Sequence, residues 1–509
     1  MRRSQVKLFF VCCSLALACN FQYGFSSTYF NTPVASFKHY LNESITAQGF
    51  TFDEHMYEWM WNLLLNVWFI GFFFGIWLSP ILNDRYGRKV GFVVGTSFSL
   101  LASILRFLGI LFKLPELLFV GRIIVSITAA VMYQSLILYI QECSPTHLRG
   151  MMSFTSEMSY ASMCVLGLAL GTDQIFGLKL SCLLGFAIIP CMLPFNDKAK
   201  LSKTVISTGK QIEQPSTLAV VVLLPIPETP KFLLITKNNR KAAIKSILFF
   251  HGDDANVENV LREIEKEGEE KSSSSPKEIF ATPYLRKALL IASLAMQNTV
   301  SLWSILLSST HFLRTVKLYG DISAWSSTAM GVTYVMGTIV GFIIVERLRR
   351  RRLLLSFATL GVLCLAVYVV CAALNSTWEW TKYGCLVALL LFGFIYGAGI
   401  GPVSWILCTE LVPQRHRSMM QSLCYSINTL MVVISTFTVL PLYGAIGAYA
   451  FLILYIVPCT LCIIYLYKNL PETMGREIHE IVADLRGSTI SDETACSSQI
   501  SVSSELTRY

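Results

Sequence analysis

Unbroken apolar runs decide what this chain can fold into. Val90 to Phe112 carries a single charge, Arg106, and Phe357 to Leu374 carries none. Runs of about 18 to 25 apolar residues are long enough to cross the hydrocarbon of a bilayer as helices. Such runs fill most of the 509 residues, of which 54% are hydrophobic and 14% charged, against roughly 25% charged in soluble domains. A soluble chain so poor in charge would not cover its own surface. A soluble enzyme, a secreted scaffold and a nucleic-acid binder are therefore excluded, and a lipid bilayer is the expected surrounding. The net charge of +9 lies between the runs, where basic residues set topology and do not hold nucleic acid.

Taken in order, spans are expected near 6–28, 60–82, 90–112, 115–140, 151–172, 178–195, 286–313, 322–345, 353–374, 383–409, 418–441 and 446–468. The expected fold class is an all-α polytopic membrane protein, with twelve transmembrane helices in two six-helix halves. Met1 to Cys19 has features of a signal peptide, but its apolar run continues to Phe25, so it is read as part of span one. An even number of spans puts both termini on one side. The loops on that side carry Arg85, Arg88, Lys89, Arg149, Arg347, Arg349, Arg350, Arg351 and Arg352, while the opposite loops carry few basic residues, such as Lys38, Lys113 and Lys382. The positive-inside rule then makes both termini cytoplasmic. Two glycosylation sequons, at Asn42 and Asn375, fall in loops assigned to the outside. The 15 cysteines lie mostly within spans as small hydrophobes. No metal site and no cofactor are expected, and Cys459-x-x-Cys462 sits mid-span as packing.

Three motifs recur in the same order. Asp84-Arg85-Tyr86-Gly87-Arg88-Lys89 is matched by Glu346-Arg347-Leu348-Arg349-Arg350-Arg351. Glu142-x-x-Pro145-x-x-x-Arg149 is matched by Glu410-x-x-Pro413-x-x-x-Arg417, and Pro227-Glu228-Thr229 by Pro471-Glu472-Thr473. The chain is a tandem repeat of six-helix units with parallel halves. The expected organisation is span one within 1–28, a first bundle over 1–230, a cytoplasmic linker with short helices over 231–285, a second bundle over 286–470 and a cytoplasmic tail over 471–509. The linker includes a charged helix over Val257 to Glu270 and a flexible break at Ser272 to Ser275. Between Glu142 and Glu228 there are 86 residues of offset, but only 62 between Glu410 and Glu472. The excess falls in a polar insert at 191–215 that interrupts span six, and it reads as an added loop or an unspliced intron. Gly71 and Gly75 offer a small-xxx-small face for close helix contact.

The ordered motif set resembles the sugar porter family of the major facilitator superfamily, with its nearest likeness among animal facilitative hexose transporters. The likeness covers nearly the whole chain. It rests on Phe21-Gln22-Tyr23-Gly24, Gly87-Arg88-Lys89, Gly121-Arg122, Glu142 to Gly150, Pro227-Glu228-Thr229-Pro230-Lys231, Gly401-Pro402-x-x-Trp405 and Pro471-Glu472-Thr473-x-Gly475-Arg476. It implies the major facilitator fold and carriage of a small sugar or polyol by alternating access. Asp84, Arg88, Glu142 and Arg149 in one half, with Glu346, Arg350, Glu410 and Arg417 in the other, are candidates for a cytoplasmic latch between the bundles. The alternative is that they anchor loops.

Sugar sites need directional donors and acceptors plus an aromatic face. By resemblance, Trp405 stands at the family's span-ten tryptophan, Asn428 at its span-eleven asparagine, and Gln297-Asn298 near its span-seven glutamine pair. This chain departs from the pattern at Trp303 and Tyr334, where the family has asparagines, and at Gly397, where it has a glutamate. Glu157 takes the place of a sugar-contacting glutamine in span five. Each lone polar group also suits an ordinary interhelical hydrogen bond, and Glu157 also suits a site close enough to the membrane surface to snorkel. An acid at membrane depth is nevertheless a functional candidate by default.

The leading expectation is a facilitative uniporter in the plasma membrane, with no enzyme activity. A proton symporter using Glu157 and a transport-dead nutrient receptor are the alternatives. The acid that proton-coupled relatives carry in span one is replaced here by Phe25-Ser26-Ser27, which favours uniport.

Overall fold

The computed structural model describes residues 3–49, 53–145, 148–188, 226–252, 257–268, 276–318, 321–375, 377–413, 416–474, 476 and 480–487. Every regular element among them is helical. In the first half, span one is Arg3–Thr28, span two Glu54–Tyr86, span three Arg88–Leu111, span four Pro115–Cys143 and span five Arg149–Leu170. A short helix, Val34–Ala47, lies between spans one and two, and Leu180–Phe186 is the described part of span six. The polar insert lies outside the described residues. In the second half, span seven is Pro283–Gln297 and Val300–Thr315, span eight Asp321–Ile344 and span nine Arg350–Leu374. Span ten is Thr381–Ile395 continued by Gly401–Glu410, span eleven is Arg417–Ile446, and span twelve is Val457–Asn469 after the wide turn Leu452–Ile456.

Ten helices among the described residues are long and apolar enough to cross a bilayer on their own. Span five is not one of them, because Ser153, Thr155, Ser156, Glu157 and Ser159 lower its hydropathy. All five are buried inside the protein, so the helix meets lipid with its remaining apolar face.

Close backbone contact holds the bundles together. A Cβ on Gly75 would lie 2.3 Å from the Ile127 carbonyl oxygen of span four, so the Gly71/Gly75 face does bring spans two and four together. Between the halves, span five packs on span eight and span two on span eleven. These two seams are equivalent under the repeat, since five corresponds to eleven and two to eight.

Two expected continuous spans prove to be interrupted. Span seven breaks at Asn298-Thr299, where side chains compete with the helix for its carbonyls. Asn298 donates to Leu294 O at 3.2 Å and Thr299 to Met296 O at 2.7 Å. Span ten widens into a π-turn over Tyr396–Ile400, a geometry frequent at functional positions. In the linker, the helices are Arg240–His251, Val257–Gly268 and Pro276–Ala281. Arg240 ties the first two through Glu258 at 2.7 Å and Glu265 at 3.3 Å. These helices lie at the same end of the molecule as the repeated motifs, called here the linker end.

Candidate functional site

The site is built around Glu157. It projects from span five, is 4% exposed, and stands at the seam with span eight. The Tyr334 hydroxyl donates to its carboxylate across that seam, and the Tyr133 hydroxyl of span four lies 3.5 Å away. A Cβ on Gly401 would come within 2.9 Å of Glu157 Oε1, so the glycine leaves span ten close beneath the carboxylate.

Aromatic rings from several spans surround this point. Tyr23 of span one lies 4.6 Å from Tyr160 and 5.1 Å from Tyr133, centroid to centroid. Trp303 of span seven lies 6.0 Å from both Tyr23 and Tyr160 and meets Phe69 edge-on at 5.5 Å. Trp405 packs edge-to-face on Tyr425 at 4.7 Å and on Tyr133 at 5.7 Å. Tyr396, re-aimed by the π-turn, lies 5.5 Å from Tyr334, and its hydroxyl meets the Trp405 indole and Thr299. Rings from the two halves therefore fill the centre between the bundles.

The expected residues divide into two groups. Glu157, Tyr334 and Trp405 come together. Asn428 instead braces the break in span seven, donating to Met296 O at 2.9 Å and to Thr299 Oγ1 at 3.2 Å. Asn298 sits at that break with its Oδ1 buried and unbonded. Gln297 is half-buried, with its carbonyl 3.9 Å from the Cys459 thiol of span twelve, and the structure does not bring it to Glu157. The departures at Trp303, Tyr334 and Gly397 act together. A Cβ on Gly397 would lie 2.4 Å from Tyr334 O, so the missing side chain in span ten makes room for span eight to present its tyrosine. Trp303 keeps its indole N–H buried without an acceptor among the described residues.

Sequence reasoning missed Tyr23, Tyr133, Tyr160, Tyr396 and Tyr425. Their signal was a tyrosine inside the apolar runs of spans one, four, five, ten and eleven. It also passed over two arginines that are fully buried in the first half. Arg106 donates to Ser26 Oγ at 2.9 Å, Ser103 Oγ at 3.1 Å and Gln22 Oε1 at 3.2 Å. Arg122 donates to Ser26 O at 3.1 Å and Leu65 O at 3.3 Å, with Phe30 and Trp68 against its guanidinium.

At the linker end, the recorded acid–base pairs close within each half. Arg88 pairs with Glu142 at 2.7 Å and stands 3.9 Å from Asp84, and Arg350 pairs with Glu410. Contacts that cross the halves come from elsewhere: Asp84 faces the Ser418 hydroxyl, and Arg350 Nη2 lies 2.7 Å from where a Cβ on Gly150 would be. Glu346 is half-buried and Arg417 is buried. The side chain of Arg149 lies outside the described residues. At the opposite end Asn31 closes the halves, donating to Ser309 Oγ at 2.8 Å. Asn42 is exposed on its helix, whereas the Asn375 amide donates to Val316 O at 3.1 Å. Among the described residues no cluster of ligands could hold a metal ion.

Paired helical bundles that meet around a buried polar centre define a polytopic carrier of the major facilitator class. The chain belongs to the sugar transporter family: the family model described as "Sugar (and other) transporter" matches residues 9–196 and 206–485. The gap between the two matched pieces falls inside the 191–215 insert. The mouse protein named solute carrier family 2, facilitated glucose transporter member 7, is 27% identical, covering 94% of this chain and 90% of that protein. The human member 11 is 24% identical, covering 93% and 92%, and the rat member 5 is 26% identical, covering 92% and 89%. Among solved structures, the proton:xylose symporter XylE bound to 6-bromo-6-deoxy-D-glucose superposes with a TM-score of 0.74 at 16% identity, covering 94% of this chain and 99% of that one. The inward-open xylose transporter XylE from E. coli gives 0.67 at 16% identity, covering 93% and 99%.

Proposed function

We propose that this protein is a facilitative carrier for a hexose or similar polyhydroxy solute, moving it down its gradient by alternating access. The observation that carries the reading is the hydrogen bond from Tyr334 of one half to Glu157 of the other, set among ring faces from both halves. A solute held there touches both bundles, so its binding can bias how they rock. The names of the relatives, facilitated glucose transporters, support the substrate class. The coordinated replacements at Trp303, Tyr334, Gly397 and Glu157 favour a rebuilt site over a decayed, transport-dead one.

The carrier is placed in the plasma membrane with both termini cytoplasmic, following the basic loops. The linker end is then cytoplasmic, with Asp84–Ser418 and Arg350–Gly150 as its contacts between the halves, and Asn42 is the better placed of the two sequons for glycosylation. A second reading, proton-coupled symport, is favoured by the carboxyl of Glu157 alone. A protonated carboxyl there would act as one donor and one acceptor, much like an amide.

Counterflow of labelled hexoses, pentoses and polyols in liposomes holding the purified protein tests the reading. Exchange of at least one of these solutes without a proton gradient is expected. Exchange of none would sink the carrier reading, and accumulation only under an inward proton gradient would replace uniport with symport.

A further inference from the structure

We propose that the preferred substrate carries an amine: the site is built for an amino sugar or a related ammonium-bearing polyol. The inference rests on the reading of this centre as the transport site.

The first ground is an uncompensated acid. Glu157 is buried, and its recorded partners are two tyrosine hydroxyls. Among the described residues no lysine, arginine or histidine contacts it. A buried carboxylate is costly to hold without a cation. The two buried arginines of the first half do not supply one. Arg106 is taken by serines and a glutamine. Arg122 is taken by backbone carbonyls and lies against Trp68, which stacks on Tyr23. The missing partner of Glu157 is then a cation brought by the solute.

The second ground is the wall around the acid. Tyr23, Tyr133, Tyr160, Trp303, Tyr396 and Trp405 present ring faces and edges within a few ångströms of one another. Ring faces attract an ammonium group, most strongly where water is excluded. A proton bound to Glu157 would make no use of them.

The third ground is what the wall lacks. A neutral sugar is normally gripped by amides, yet the amide N–H group of Asn428 is taken by Met296 O and Thr299 Oγ1 of span seven. What remains for hydroxyls is the tyrosine O–H groups, the unpaired Trp303 N–H and, among the described residues, the unbonded amide atoms Asn298 Oδ1, Gln134 Nε2 and Gln421 Oε1. That set can orient a ring of hydroxyls while the acid and the aromatic faces select the charge.

The test uses the full-length protein in liposomes and three labelled probes: glucosamine, glucose and N-acetylglucosamine, the last being the neutral counterpart of the first. At about pH 6 an ordinary amine is an ammonium. Glucosamine should then exchange with at least tenfold higher apparent affinity than either neutral sugar, equivalent to about 1.4 kcal/mol. In Glu157→Gln the glucosamine-to-glucose ratio should fall to about one. Glucose exchange by wild type with no preference for glucosamine would overturn the proposal while leaving the sugar-carrier reading intact. So would a glucose flux driven by a proton gradient with the same lack of preference. If none of the three sugars exchanges while another solute of the wider panel does, the proposal fails alone; if no solute of that panel exchanges, the carrier reading fails with it. The wild-type ratio decides the matter even if the variant does not fold.

Discussion

The same three motifs meet at the linker end of both halves, but the first set closes more fully than the second. In the first half, Arg88 bonds one oxygen of Glu142 at 2.7 Å and the Thr229 hydroxyl donates to the other at 2.6 Å. The Lys89 backbone N–H donates to Glu228 at 3.0 Å, and the Lys89 ammonium reaches Ile226 O at 3.0 Å. Burial pushes the Glu228 carboxyl up from its ordinary range, while the backbone N–H groups of Thr229 and Lys89 oppose that shift. In the second half, Arg350 pairs with Glu410, but Glu410 Oε2 and the Thr473 hydroxyl are both buried and unbonded. Glu472 accepts from the N–H groups of Thr473 and Met474, each at 3.1 Å, as Glu228 does from Thr229 at 2.9 Å.

The difference traces to one backbone position. Gly87 begins span three with φ +105°, and a Cβ there would lie 2.6 Å from the Glu228 carboxylate. Its counterpart Arg349 has φ −57°, so the second loop turns differently and its last motif is not drawn in. The incomplete cluster is also the one whose arginine reaches Gly150 of the other half. At this end the first half bonds mainly within itself, while Arg350 of the less complete second cluster lies against Gly150 of the other half.

Removing the two arginines in turn should separate the halves most strongly. Arg88→Ala strands Glu142, whose side chain is 2% exposed, and leaving a buried charge unpaired costs about 3–5 kcal/mol. The expected result is a large fall in thermal stability in detergent. Arg350→Ala strands Glu410, whose side chain is 11% exposed, so a smaller fall of about 1–2 kcal/mol is expected, together with a changed counterflow rate through the lost contact at Gly150. Equal stability losses with unchanged counterflow in Arg350→Ala would remove the asymmetry.

Gly87→Val is expected to cost about 3 kcal/mol, combining a backbone region essentially reserved for glycine with a clash against Glu228. Arg349→Val, at the matching position, should stay within about 0.5 kcal/mol, as surface changes usually do. Thermal unfolding of the two variants side by side checks this, and similar shifts in both would contradict the role given to the glycine.

Much of the architecture was legible because hydrophobic length and repetition act locally. The apolar runs gave the spans, the helix expected over 257–270 appears as Val257–Gly268, and the Gly71/Gly75 face meets span four. The site was only partly legible. Glu157 stood out because an acid within an apolar run has no structural excuse. The tyrosines did not, because a mid-span tyrosine suits a core as well as a site until packing shows which face it lines. Asn428 pointed to the right neighbourhood, but the break in span seven that takes its amide N–H group leaves no mark in hydropathy. The charged motifs suggested a latch between halves. The recorded pairs close within halves because spans three and four, and nine and ten, are themselves neighbours.

The finest test compares the two threonines that end the repeated motifs. Thr229→Val keeps the shape but deletes the hydroxyl that donates to Glu142 and accepts from the Phe232 N–H at 3.3 Å. A hydrogen bond to a charged group is worth about 1.5–3 kcal/mol, so a loss of about 2 kcal/mol is expected. Thr473→Val deletes a hydroxyl that is buried and unbonded, so stability should be unchanged or rise by about 0.5 kcal/mol. Giving the second half its glycine turn sharpens the point. In an Arg349→Gly background the last motif can approach Glu410, and Thr473→Val should then become costly, with a coupling of about 1 kcal/mol in a double-mutant cycle. If Thr473→Val is as costly as Thr229→Val in the wild type, the second cluster is already closed. If the glycine produces no coupling, something other than the turn at position 349 holds the motif away.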